Sequence, residues 1–119
     1  MDQRVVDIAG FQKDVGLDHD AVQALYLIFV EEVGKAKEAV NRCLSLGNLE
    51  ELIRIVHDIK GIASSYRAQK LLNYAKNLDN TLKSKDIENI QKDAADMNGG
   101  IDQAIQEIIL YFRAGDGFK

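Results

Sequence analysis

The chain has two histidines, and only one stands among residues that suggest chemistry. The run Ile53-Arg54-Ile55-Val56-His57-Asp58-Ile59-Lys60-Gly61 has helical periodicity. On a wheel of about 100° per residue with His57 at zero, Leu49, Leu52, Val56, Ile59, Ala63 and Tyr66 gather near roughly −130° and mark the core direction. His57 lies well away from it. Its own face carries Ile53, Ser64, Gly61, Lys60 and Arg54, so the ring is expected to be partly exposed, flanked by two cations, a glycine and one apolar residue. A neutral imidazole is a nucleophile at neutral pH, and the cations Lys60 and Arg54 could neutralise phosphoryl oxygens arriving at the ring. Lys60, at i+3, is on the correct side. Gly61, at i+4, leaves room beside the imidazole at a cost of about 1 kcal/mol relative to alanine, and space for a docking protein would account for that cost. Ile53, Arg54 and Ser64 then form the expected partner-docking surface. The plain alternative is a surface histidine with a common i+3 lysine and a glycine that serves helix packing. Geometry alone leaves the two readings level. His19 has no such company and is expected as an exposed first-turn residue.

Positioning His57 requires helices, and apolar spacing supplies them almost everywhere in a chain without proline. A short first segment, Asp7 to Val15, places Ile8, Phe11 and Val15 on one side and stops at Gly16, as a lid over one bundle end. Asp18 caps a long second helix, with Leu17 and Val22 spaced as a staple and a stripe of Val22, Leu25, Phe29, Val33, Ala36, Val40, Cys43 and Leu44 ending at Gly47. Asn48 and Glu51 pair as a cap for the third helix, which runs to about Tyr66. The fourth spans roughly Ala68 to Lys83, with Leu71, Ala75, Leu78 and Leu82 inward. Asp86 caps the fifth, whose stripe is Ile87, Ile90, Ala94, Met97, Ile101, Ile105, Ile108 and Phe112. Gly99-Gly100 suggests a local bend there or a close approach by a neighbouring helix, the bend being the plainer reading. The prediction is an all-α, up-down-up-down four-helix bundle with a short extra N-terminal helix, forming one domain over residues 1–119.

Composition narrows the function. Lys and Arg number 15 against 19 Asp and Glu, a net charge of −4 that argues against a nucleic-acid partner. No stretch approaches the roughly 20 apolar residues of a membrane span, and Val5-Val6 is too short for a signal-peptide core, so a soluble cytoplasmic protein without membrane contact is expected. The single cysteine, Cys43, lies on an apolar stripe and reads as a small core hydrophobe.

The stretch His57-Asp58-Ile59-Lys60-Gly61-Ile62-Ala63-Ser64-Ser65 resembles the signature of histidine-containing phosphotransfer domains, in which H-x-x-K-G lies in mid-helix before small residues. Phe11-Gln12-Lys13-Asp14-Val15-Gly16, Phe29-Val30-Glu31-Glu32 and Leu46-Gly47-Asn48 extend the likeness over about residues 5 to 112. The resemblance implies that His57 accepts a phosphoryl group, normally through Nε2, that Lys60 helps hold it, and that Gly61 leaves space for it. It also places Asp79, on the fourth helix, where a polar neighbour of the histidine usually stands. Two positions depart from the common bacterial pattern: Ile62 replaces a serine, and Arg67 replaces a glycine ten residues after the histidine, at the turn between the third and fourth helices.

The implied donor is the receiver domain of a hybrid sensor histidine kinase, and the implied acceptor the receiver of a response regulator. No nucleotide-binding glycine loop and no carboxylate cluster for a metal adjoin His57, so the expectation is a phosphocarrier without catalytic activity or cofactor of its own, using Mg²⁺ held by the receiver. One alternative is a receiver-docking module that carries no phosphate. Another, a di-iron bundle, would need Glu-x-x-His pairs, but Arg54 stands at the glutamate position.

Overall fold

The computed structural model describes residues 4–116 and, within them, five helices: α1 (Ile8–Val15), α2 (His19–Leu46), α3 (Leu49–Ser65), α4 (Gln69–Ser84) and α5 (Ile87–Asp116). The extreme ends of the 1–119 span expected for the domain lie outside the described residues. Helix boundaries follow local chemistry. The carboxylates of Asp7 and Asp18 and the amide of Asn48 accept hydrogen bonds from the N–H of Gly10, Ala21 and Glu51, each satisfying an otherwise unpaired N–H of a first turn. Gly47 ends α2 at φ 69°, a left-handed conformation that glycine adopts without a Cβ penalty. Asp86 caps α5 through the N–H of Asn89.

The four long helices close a ring, α2 against α3, α3 against α4, α4 against α5 and α5 back against α2, with short turns making successive helices antiparallel. This is the all-α up-down-up-down bundle the periodicity predicts. Val33, Val40, Leu52, Val56, Ile59, Leu71, Leu78, Met97 and Ile101 are fully buried at its centre, each such side chain contributing about 1.5–3 kcal/mol. Cys43 is buried among them. The lid is present and extends further than α1: Val5, Val6, Ile8 and Phe11 are buried, and the N–H groups of Val5 and Val6 donate to the Glu107 carboxylate.

Several sequence expectations need correction. Val15 and Leu17, at the α1–α2 junction, and Leu49 and Ile87, the first residues of their helices, are exposed; Leu49 and Ile87 line an open recess with Leu44 and Ile90 and, at the helix ends, are covered from one side only. His19 is half-buried, its ring tilted on Phe112 at 5.2 Å, because the first turn of α2 faces the last turns of α5. Tyr26, absent from the expected stripe, is fully buried. Its hydroxyl donates to the Tyr66 carbonyl at 2.7 Å, which removes the cost of burying the phenol. A β-carbon at Gly100 would lie 2.8 Å from Cδ2 of Tyr74, whereas one at Gly99 would meet nothing within 4 Å. The Gly100 position is therefore accounted for by close approach of α4.

Arg67 holds the turn before α4 at φ 56°, a left-handed conformation, which is why glycine suits this position. Here its guanidinium reaches across to the lid, donating to Asp7 and Asp14. The carbonyl of the same residue accepts the Asp7 N–H.

Candidate functional site

α3 presents His57 to solvent because Leu52, Val56, Ile59 and Ala63 commit the opposite side of the helix to the core. The imidazole side chain is 52% exposed. Lys60, one turn on, lies on the same side and is partly buried. A β-carbon at Gly61 would meet no neighbour within 4 Å. Helix packing therefore does not explain this glycine, in contrast to Gly100.

Both side chains converge on α4. Nε2 of His57 lies 3.0 Å from Oδ1 of Asp79, and Nζ of Lys60 donates to Oδ2 at 3.1 Å. Nζ of Lys83, one turn further along α4, reaches the same Oδ2 at 3.0 Å. Asp79 is the one buried charged residue among those described, at 2% exposure. It sits on the inner face of α4 between Ala75 and Leu82, next to Leu78, and its carboxylate meets His57 and Lys60 of α3 as well as Lys83 of its own helix. Burial pushes its pKa up, but hydrogen bonds from Lys83, Lys60 and His57 outweigh this and hold it below the usual carboxylate range. An ionised carboxylate only accepts hydrogen bonds, so Nε2 carries a hydrogen in this arrangement. In the neutral ring the lone pair is then on Nδ1.

The lowered pKa has a consequence for stability. A carboxyl group whose folded pKa is depressed stabilises the fold above its unfolded value and loses that contribution as pH falls through the folded one. We expect Asp79→Asn to cost about 1–3 kcal/mol at neutral pH, since it removes the charge that pairs two lysines. The difference from wild type should shrink steadily below about pH 4. Urea melts of both proteins across this range measure it, and a difference independent of pH would contradict the ionised pairing.

The remaining sequence candidates are placed differently. The Arg54 guanidinium turns back to pair with Glu51 on its own helix, and the second cation beside His57 is Lys83 instead. Ile53 is half-buried and packed on the core, so it offers less apolar surface than the wheel suggested. Ser64 is exposed but borders a separate recess with Asp7, Arg67 and Gln69. Beside His57 an open groove runs between α2 and α3, lined by Glu32, Lys35, Asp58, Gly61, Ile62 and Ser65. Ile53, Arg54 and Ser64 do not line it. Sequence reasoning missed Lys83 and the α2 contribution of Glu32 and Lys35. Lys83 had a readable signal, a lysine four residues after an aspartate on the apolar stripe of a helix. The α2 residues had none.

Among the described residues, no helix is long and apolar enough to cross a membrane. The model of the Hpt domain family matches residues 24–109, spanning α3 and α4 in full and most of α2 and α5. Neither a curated protein nor a solved structure matches the chain significantly.

Proposed function

Because this chain belongs to the Hpt domain family, whose members carry out histidine phosphotransfer in phosphorelays, we propose that it is a phosphocarrier with His57 as its phosphoacceptor. The observation that carries the reading is the half-exposed imidazole with Lys60 one turn away and unoccupied space over Gly61. The donor is an aspartyl phosphate on the receiver domain of a hybrid sensor kinase, and the acceptor is the aspartate of a response regulator. Transfer of this kind asks the carrier for in-line positioning and charge stabilisation, which a half-exposed imidazole with Lys60 one turn away can supply. In this reading Lys60 balances the phosphoryl oxygens and Gly61 admits the receiver. The docking surface in this reading is the α2–α3 groove beside His57, with Ile53, Arg54 and Ser64 as further contacts outside the groove. The chain needs no cofactor of its own, because the receiver brings Mg²⁺, and the relay places it in the cytoplasm.

Incubation with a receiver domain charged on its aspartate should produce acid-labile, base-stable phosphate on this chain. A receiver that binds tightly without yielding phosphate would favour the docking-module alternative.

Docking and chemistry should separate in two variants. Gly61→Gln gains helix propensity, about 0.5–1 kcal/mol, because nothing crowds the site. Its side chain nevertheless stands one turn from the imidazole, where the receiver approaches, so stability should hold or rise while transfer slows. Lys60→Ala should leave receiver affinity nearly intact and reduce the transfer rate, because it removes charge aimed at the phosphoryl group. Measuring affinity and transfer rate for both variants decides the matter: wild-type transfer by Gly61→Gln would remove the steric role.

A further inference from the structure

A buried carboxylate is an unexpected neighbour for a group meant to hold a phosphoryl dianion. Asp79 contacts the acceptor ring itself, and it also holds both cations that phosphoryl oxygens would need, Lys60 and Lys83. We propose that Asp79 sets the direction of phosphate flow, stabilising the unphosphorylated carrier relative to the phosphorylated one so that His57 favours donation to a receiver over storage of the group. This rests on the phosphocarrier reading, with Nε2 as the reacting nitrogen.

On acceptance, the Nε2 lone pair forms the N–P bond as the P–O bond to the receiver's carboxyl group breaks, leaving its electron pair on that carboxylate. The ring proton must first leave Nε2 for water while Nδ1 gains one from water. Donation runs the same bonds in reverse. In the unphosphorylated state Nε2–H donates to Asp79 at 3.0 Å, and the two lysines complete the carboxylate's hydrogen bonding. A phosphoryl group on Nε2 ends the first contact, sets negative charge against a buried carboxylate, and competes with it for Lys60 and Lys83. Every one of these changes penalises the phosphorylated form. Lys83, 62% exposed, moderates the effect because it can swing toward the phosphoryl oxygens.

The test is an equilibrium. A receiver domain, charged from labelled acetyl phosphate with Mg²⁺ and freed of the donor, is mixed with wild type, Asp79→Asn or Lys83→Met, and the label is partitioned between the two proteins. Asp79→Asn should raise the ratio of carrier phosphate to receiver phosphate about tenfold, the equivalent of one hydrogen bond to a charged group. Lys83→Met should lower it, because the carboxylate is then less compensated. Ring ¹⁵N shifts should report an Nε2–H preference in the wild type that weakens in Asp79→Asn, a signature that a merely structural aspartate would not give. An unchanged or reduced ratio in Asp79→Asn, or a rise in both variants, overturns the proposal. If both wild type and Asp79→Asn are labelled in equal proportion, only this inference fails. If neither takes label from a receiver that remains charged, the phosphocarrier reading falls and this inference falls with it.

Discussion

His57→Gln should take up no phosphate from a charged receiver domain while melting within a degree or two of the wild type. The loss is complete because glutamine offers no nucleophilic nitrogen, and neither Lys60 nor Lys83 can replace it while protonated and paired with Asp79. The melt is preserved because half of the imidazole surface already faces water and the core side of α3 is built from Leu52, Val56, Ile59 and Ala63. Glutamine also retains a donor for the Asp79 carboxylate, so the buried charge keeps its three partners. Phosphate counting and a thermal scan on one preparation check both halves. Residual labelling at the wild-type level would move the acceptor elsewhere, and a large drop in melting temperature would make His57 a structural residue.

Phe29→Ala should behave in the opposite way. Phe29 is fully buried on α2, with ring centroids of Tyr66 and Tyr26 at 5.1 and 6.1 Å. The two tyrosines are themselves tied by the Tyr26 hydroxyl, and Phe11 stacks on Tyr66 from the lid at 5.5 Å. Removing the central ring opens a cavity that this linked cluster cannot collapse to fill. The expected loss is about 3–5 kcal/mol, lowering the melting temperature by about 10–20 °C. Below that melt, phosphate acceptance should persist, since Phe29 is fully buried and does not itself line the groove beside His57. Calorimetry together with a transfer assay at low temperature tests this. A small stability change would mean that the lid repacks over the gap.

The sequence itself determined the helices and the orientation of α3. Apolar residues at intervals of three and four can be buried together only on one side of a helix, and that rule directed Leu52, Val56 and Ile59 inward and therefore His57 outward. Caps at Asp7, Asp18 and Asn48 and stops at Gly16 and Gly47 were equally legible, because each acts within four residues of itself. The same local logic overreached at helix ends: Leu49 and Ile87 obey the period, yet there they only line an open recess with Leu44 and Ile90, and burial would need a further residue to cover it.

What only the tertiary structure decided was which side chains meet across helices. Gly61 and Gly100 are alike in sequence, two glycines within helices. One faces open space and the other the ring of Tyr74, a difference that depends on α4 and not on the helix either belongs to. Arg54 and Lys83 exchange places for the same reason. The wheel put Arg54 near His57, but a long flexible side chain goes to the nearest satisfiable charge, Glu51 on its own helix. Asp79 shows the division most clearly. Only the family resemblance put it near His57, whereas its burial and its pairing with His57 and Lys60 were decided when α3 packed beside α4, because a charge taken out of water is compensated by whatever donors the fold brings within about 3 Å.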